Sequence, residues 1–298
     1  MMSGVTKPDD AIIEQRLYDA VDRWGAAGPA ELVDTACDAL IAGLDSPALR
    51  DLAGASARDP YWEIRELVDQ MLAELGIPQP GTILPGFVVA AGGGVARRPG
   101  VDSLRLDVAP APSEVGGFQV LISVNDEEMT AAAAGLGMDP YDILIPANRL
   151  IAGNEPHTVP IARCGCGVYG CGSTDIRITR DGDRVHWDWL IEVPMRRGVT
   201  FPADRYDDEV ARVAADHSWE TPDRTAGRLV LTGVDHERLR DNGLHVDWAA
   251  NDHRNAEVFR VVLRSDDSQV FVDTPWRGRA PEELAREVCK TLARAPRE

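Results

Sequence analysis

The stretch STDIRITRDGDRVHWDWL, residues 173–190, contains the clearest secondary-structure signal of the chain. An Asp181-Gly182 pair stands between two runs in which apolar and polar side chains alternate, which is typical of a two-residue β-hairpin turn. Counting outward from that pair predicts that Ile178 faces Val185 across the two strands. One face of the hairpin is then apolar and comprises Ile176, Ile178, Val185, Trp187 and Trp189. The alternation therefore predicts two antiparallel strands with one face in a core.

Three cysteines lie in the glycine-rich run directly before this hairpin. The run IARCGCGVYGCGSTD covers residues 161–175, and Cys164, Cys166 and Cys171 have the spacing C-x-C-x4-C. The glycines between and beside them allow the backbone to fold tightly enough for the three sulfur atoms to converge. Thiolate is a soft ligand that zinc accepts, and structural zinc sites commonly combine cysteine with histidine. The motif therefore indicates a candidate zinc site.

A fourth ligand is harder to assign from the sequence. His157 is the nearest histidine along the chain, seven residues before Cys164, and is the candidate that we choose. His186 is less suitable because it faces Arg177 in the predicted hairpin, and a cation there disfavours a metal ion. Asp175 offers a harder oxygen ligand. The predicted metal ligands are Cys164, Cys166, Cys171 and His157.

Two other interpretations of the cysteine run remain open beside the metal site. Buried cysteine behaves as a small apolar side chain, so the three thiols could pack in a glycine-rich corner beneath the hairpin. Two of them could also exchange a disulfide, although a bridge between Cys164 and Cys166 would be strained. Cys37 and Cys289 lie beside the apolar stripes of predicted helices, where core packing accounts for them.

The N-terminal part of the chain has helical periodicity. Its clearest helix follows Pro60, has apolar residues at helical spacing, and has Gly76 placed to end it. The stretch IPQPGTILPG after this helix is rich in proline and glycine and favours an extended connector. We predict a helical domain over residues 1–78, a linker over 79–86 and an α+β domain over 87–298, with a candidate subdivision near residue 232.

The part after the linker consists of short runs that are rich in β-branched and aromatic residues. Predicted strands are SLRLDV (103–108), GFQVLISV (117–124), GLHVDWAA (243–250), EVFRVVLRS (257–265) and QVFVDTPW (269–276). Only a few helices interrupt them, among them one that begins at Pro281. This order favours a mixed or antiparallel sheet over a doubly wound parallel one. The predicted fold class is α+β, with an N-terminal helical bundle.

The chain is strongly acidic. Its 298 residues include 49 acidic and 31 basic side chains, which gives a formal net charge of −18 at pH 7. Such a surface repels nucleic-acid phosphates and anionic membranes, so we expect neither as a partner. A basic protein is the partner that the charge favours. The simpler alternative is that the acidic residues only keep the protein soluble.

Targeting signals are not found in the sequence. No run reaches the roughly eighteen apolar residues of a membrane span, and the N-terminus lacks a signal-peptide core. Five cysteines, three of them crowded together, do not resemble the disulfide framework of a small secreted domain. We therefore expect a cytoplasmic protein with reduced thiols.

Common catalytic signatures are also not found. The sequence contains no H-E-x-x-H, no G-x-S-x-G, and no phosphate-binding loop after the glycines at 92–94. In GLGMDPYDILIPANRL, residues 135–150, Asp139 and Asp142 could serve as acid and base groups. We favour turn chemistry for them, because Asp139-Pro140 is a typical turn start.

Four segments together resemble a family of uncharacterised bacterial proteins of the kind common in high-GC actinobacteria. They are GMDPYDILIPANRL, the cysteine run with its hairpin, FPADRYDDEVARVAADHSWETPDR and VFVDTPWRGRAPEELAREV. The motif C-x-C-G-x-x-G-C-G is the feature that marks the resemblance, which covers residue 87 to the end. The resemblance implies no established activity and transfers no catalytic residues.

Two functional hypotheses follow. The favoured one is a non-catalytic protein-interaction protein, for example of an immunity-like kind, in which the cysteine run is a structural loop. The alternative is a zinc-dependent enzyme in which the three thiolates hold zinc and water takes the open position. Asp175 is the one general-base candidate that the spacing offers for that enzyme.

Overall fold

A computed structural model describes residues 12–56, 58–80, 89–93, 96, 100–168, 171–191, 194–195, 197–265 and 268–294. Within them helices come first and antiparallel sheets follow, which confirms the predicted α+β class. The chain forms two compact units. The first comprises residues up to Met138 together with Leu150–Val210, and the second comprises Asp139–Arg149 and the residues from Ala211 onward. Most of the predicted linker lies outside the described residues, and the predicted domain over 1–78 and the subdivision near 232 stay predictions.

The first unit begins with four helices. They are α1 (Ile13–Ala27), α2 (Pro29–Ile41), α3 (Pro47–Ala53) and α4 (Tyr61–Leu75). The side chain of Ser46 caps α3 by accepting a hydrogen bond from the Leu49 N–H at 3.2 Å, and Pro47 occupies the first helical position. Gly76 ends α4 in the left-handed conformation, as its position in the sequence predicts. The apolar face of α4 is buried and comprises Ile64, Val68, Met71 and Leu72.

Two antiparallel sheets complete the first unit. The three-stranded sheet has the order β1 (Leu104–Pro110), β2 (Phe118–Val124) and β3 (Glu127–Glu128). The five-stranded sheet follows chain order through β4 (Gly135–Gly137), β5 (His157–Cys164), β6 (Ser173–Asp181), β7 (Arg184–Ile191) and β8 (Val199–Pro202). These strands confirm the predictions for residues 103–108 and 117–124, and they place the cysteine run between β5 and β6.

The predicted hairpin is present as β6 and β7, but its register differs from the prediction. Ile178 lies opposite Trp187, not Val185, because Gly182 and Asp183 form the turn in place of the Asp181-Gly182 pair. Gly182 has φ +56° at the first central position, which is the preference of a type II′ turn. Arg177 consequently faces Asp188 and not His186. The pairing moves by two residues, so the predicted faces are preserved, and all five apolar side chains are buried.

An aromatic core lies on the apolar face of this hairpin. The ring of Trp187 is fully buried and makes edge contacts with Trp189, Phe201 and Tyr206 at centroid distances of 6.3, 5.2 and 5.9 Å. Its indole N–H donates to the Tyr206 hydroxyl at 3.2 Å, and that hydroxyl donates to the Leu150 carbonyl at 2.6 Å. These contacts satisfy the buried polar atoms and fix the position of the sheet that carries the cysteine run.

The second unit contains a three-stranded antiparallel sheet with helices around it. Its strands have the order β11 (Gln269–Pro275), β10 (Asn255–Arg264) and β9 (His245–Asp252). Its helices are α5 (Pro140–Ile143), α7 (Pro222–Gly233), α8 (His236–Asp241) and α9 (Pro281–Leu292). Helix α6 (Ala203–Ala215) belongs to the first unit up to Val210. Among the described helices of both units, none is long and apolar enough to span a bilayer.

Candidate metal centre

The loop between β5 and β6 brings three thiols together. The sulfur atoms of Cys164, Cys166 and Cys171 all lie within 4.8 Å of one another. The Cys164 N–H donates to the Gly172 carbonyl at 2.8 Å, which pairs the ends of the two strands. The Gly167 N–H donates to the Cys164 carbonyl at 2.8 Å and closes a turn over the intervening residues. This convergence confirms that the glycine-rich run folds the three sulfurs toward one centre.

The separation of the sulfurs is close to what a metal ion requires. Zinc–sulfur bonds of about 2.3 Å in a tetrahedral site place two sulfur atoms roughly 3.8 Å apart. Since the observed separations are at most 4.8 Å, a closure of about 1 Å would bring the thiolates to bonding distance. Cys166 and Cys171 are exposed and Cys164 is half-buried, so an ion could enter from solvent. The three cysteines could therefore hold a metal ion.

The pKa values of the two exposed thiols, Cys166 and Cys171, are shifted in opposite directions. The pKa of Cys166 is lowered from its ordinary value. The larger cause is a hydrogen bond from the Val168 backbone N–H, and the next is a hydrogen bond with the Cys164 side chain. The side chains of Cys164 and Cys166 raise the pKa of Cys171 to about 11, because they favour its protonated form. A bound metal ion would favour deprotonation of all three.

Arg163 also supports the loop, and the sequence does not predict this role. Its guanidinium donates from Nη1 to the Gly167 carbonyl at 3.3 Å, within the turn that follows Cys164. The contact holds the turn against the strand on which Arg163 lies. The only sequence signal for this role is the position of Arg163 directly before Cys164. Adjacency alone does not show which atoms a long side chain contacts.

The fourth predicted ligand lies far from the sulfurs. His157 is the first residue of β5 and Cys164 is the last, so seven residue rises of about 3.3 Å, roughly 23 Å, separate them. Among the described residues no imidazole or carboxylate joins the three-sulfur group. His186 lies on β7, where its Nδ1 is 2.9 Å from the Thr200 hydroxyl. Asp175 is buried in β6 opposite Ile191. The structure thus brings together three of the four predicted ligands.

The other candidate residues from the sequence lie in helices or contact the backbone. Cys37 lies in α2, where its thiol contacts the Ala53 carbonyl at 3.7 Å, and Cys289 lies in α9. In the second unit Asp139 caps α5 by accepting from the Tyr141 N–H at 3.0 Å, which confirms the turn interpretation of this aspartate. The guanidinium of Arg149 donates to the Asp142 carbonyl at 3.4 Å.

Comparison of the chain with known protein families, with curated proteins and with solved structures found no match.

Proposed function

We propose that this is a non-catalytic protein-interaction protein of the cytoplasm in which Cys164, Cys166 and Cys171 bind a structural zinc ion. The observation that carries the zinc site is the convergence of the three sulfur atoms within 4.8 Å. Three thiolates form a soft ligand set, which suits zinc better than magnesium or calcium. The ion would hold the loop that joins β5 to β6 and so stabilise the end of the sheet.

The partner in this proposal is a basic protein. The net charge of −18 favours association with a cationic surface and disfavours nucleic acid. An immunity-like role, in which an acidic protein covers a basic one, is the version that we favour. This part of the proposal is supported by charge and not by the cysteine loop, so the two parts can be tested separately.

The zinc site predicts a bound ion that depends on the loop cysteines. Protein purified without added metal should contain about one zinc ion per chain by elemental analysis. Cys166→Ala should lose that ion and lower the Tm by about 5 to 10 °C, because binding to the folded state is a source of stability. A chelator should lower the Tm of the unaltered protein to that of the variant.

A matched control uses a cysteine outside the loop. Cys37→Ala removes a thiol from α2 and should leave the zinc content unchanged. Protein without bound zinc, or a Cys166→Ala variant that keeps the ion, would contradict the zinc site. Equal zinc loss in both variants would show that thiol content in general, and not the loop, determines binding.

A zinc enzyme is the second candidate, and one observation favours it. Cys166 and Cys171 are exposed, so a fourth coordination position would be accessible to water, as catalytic zinc requires. Against it, no described carboxylate or imidazole joins the sulfur group to act as a base. Cobalt-substituted protein separates the two roles, since added cyanide changes its absorption spectrum only if an exogenous ligand can reach the ion.

A further inference from the structure

The helical part of the first unit contains a cleft with an aromatic wall. It has a volume of about 310 Å³ and is lined by residues of α1, of α4 and of the segment directly after α4. Trp24 and Tyr61 stack in this wall with their ring centroids 4.7 Å apart and their planes 13° from parallel. Trp24 is buried, whereas Tyr61 is 61% exposed. The phenol ring of Tyr61 is therefore accessible to a ligand from solvent.

Two carboxylates line the same cleft, and they differ in their partners. Asp69 is bound by the Arg65 guanidinium at 3.1 Å and by the Gln79 amide at 3.3 Å. Asp22 is exposed, and among the residues that the structure describes no cation pairs with it. Hydrogen bonds that the Arg65 guanidinium donates to Asp69 and Tyr61 raise the pKa of Arg65, so a guanidinium of the chain itself already binds a carboxylate and a phenol here. Asp22 offers a second carboxylate for the same chemistry.

The charge around the cleft also favours a cation. Residues 12–80 contain 13 acidic and five basic side chains, a net charge of −8. Four of the five arginines are already paired within this part of the chain: Arg16 with Asp38, Arg23 with Glu31, Arg50 with Asp45 and Arg65 with Asp69. A cationic ligand therefore meets a strongly negative surface in which most of the positive charge is locally neutralised.

We propose that this cleft binds an arginine side chain of a basic partner protein. The guanidinium would lie against the Tyr61 ring and pair with Asp22, while its aliphatic stem packs on the apolar floor formed by Val68 and Leu72. A planar cation suits both a ring face and a carboxylate, whereas a neutral or acidic side chain suits neither. The inference rests on the basic partner of the proposed function and is independent of the zinc site.

Binding of a labelled hexa-arginine peptide, followed by fluorescence anisotropy at physiological salt, tests the proposal. Asp22→Asn should weaken binding about tenfold, because a charge-assisted hydrogen bond is lost. Tyr61→Leu should weaken it about threefold through loss of the ring face. Asp22 is exposed, so Asp22→Asn should keep its thermal stability, which a melting curve checks. Tyr61→Leu also removes the stack on Trp24, so its binding is measured well below the Tm that its own melting curve gives.

Two matched variants separate the cleft from general attraction. Asp34→Asn makes the same change in charge on an exposed residue of α2 that does not line the cleft. Trp62→Leu removes the neighbouring ring, which is 64% exposed and also lies outside the cleft. Both controls should bind the peptide within about twofold of the unaltered protein, since surface charges away from a contact contribute little.

Three results would overturn the proposal. They are absence of peptide binding, equal weakening by Asp34→Asn and Asp22→Asn, and self-association through the cleft that Tyr61→Leu abolishes in sedimentation experiments. Repeating the titration with the Cys166→Ala variant keeps the two proposals apart. Unchanged peptide binding by a zinc-free variant supports the cleft whatever the outcome for the metal.

Discussion

Asp102 is a buried carboxylate on which three parts of the first unit converge. It accepts hydrogen bonds from the Arg197 guanidinium at 3.0 and 3.2 Å, from the Asn125 amide at 2.7 Å and from the Thr200 N–H at 3.0 Å. Burial by itself raises the pKa of Asp102, but these hydrogen bonds and the charge of Arg197 together lower it below its ordinary value. The folded state therefore favours the ionised carboxylate.

Asp102→Asn should destabilise the protein in a pH-dependent way. A carboxylate whose pKa is lowered by folding contributes stability above its unfolded pKa of about 3.9 and loses it as the pH falls through the folded pKa. At pH 7 the variant should lose about 2 to 3 kcal/mol, because a buried charge-assisted network is broken. Urea unfolding at pH 7 and at pH 3 should show the difference from the unaltered protein narrowing at the lower pH.

Asp34→Asn is the control for this comparison, since it makes the same change at an exposed site and should alter stability little at either pH. A constant difference between Asp102→Asn and the unaltered protein across that range would show that packing, and not the ionised carboxylate, is what the substitution removes.

Local sequence patterns do not predict hydrogen-bond networks of this kind. Asp102 and Arg197 are 95 residues apart, and each lies in a segment without periodicity. The convergence of Cys164, Cys166 and Cys171 could be predicted because all three lie within eight residues and the glycines among them permit a tight loop. The sequence did not exclude His157 as a metal ligand, because His157 lies only seven residues before Cys164. Along an extended strand that separation in sequence becomes a large distance in space.

The β6–β7 hairpin shows how far alternation determines an element. The pattern of apolar side chains predicts both strands and their buried face, because a shift by one residue would place Trp187 and Trp189 in solvent. A shift by two residues preserves the face, so alternation does not distinguish the two registers. The turn decides between them, and Gly182 fits a type II′ turn at its first position.

A second glycine has a role that no local pattern indicates. Gly137 lies in β4, and a Cβ atom at this position would overlap the backbone carbonyl oxygen of Val120 in β2. The Val120 N–H donates to the Met138 carbonyl at 2.8 Å beside it, so β2 closely approaches the end of β4. This approach joins the three-stranded sheet to the five-stranded sheet.

The two glycines should therefore respond differently to a methyl group. Gly182→Ala should cost about 1 kcal/mol, because the site is open and only the positive φ is unfavourable. Gly137→Ala should cost about 3 kcal/mol or more, because backbone must move to admit the side chain. Urea unfolding measures both free energies, with Gly153→Ala as a control in open space and without a positive φ. Equal costs at the two sites would contradict the close approach of β2 and β4.

At the scale of the whole molecule the chain leaves one compact unit and returns to it. Asp139–Arg149 belongs to the second unit, although the residues on both sides of it belong to the first. A boundary between units can be recognised in a sequence by a change of composition. GLGMDPYDILIPANRL is a single turn-rich run, so its composition does not mark where the chain passes from one unit to the other. The contacts that place it lie far along the chain, since Asp139 pairs with Arg224 at 2.7 Å and Arg224 lies 4.8 Å from the Tyr141 ring centre.

Asp139→Asn should loosen the second unit and leave the first unchanged. The side chains of Asp139 and Arg224 are only 17% and 16% exposed, so the variant leaves a poorly solvated cation and should cost about 2 to 4 kcal/mol. Hydrogen exchange read by mass spectrometry should lose about 30-fold or more protection in α7, α9 and β9–β11, with β5–β7 unaffected. Asp241→Asn, an exposed change in the same unit, should exchange like the unaltered protein. Equal loss of protection in β5–β7 would show that the two units unfold together.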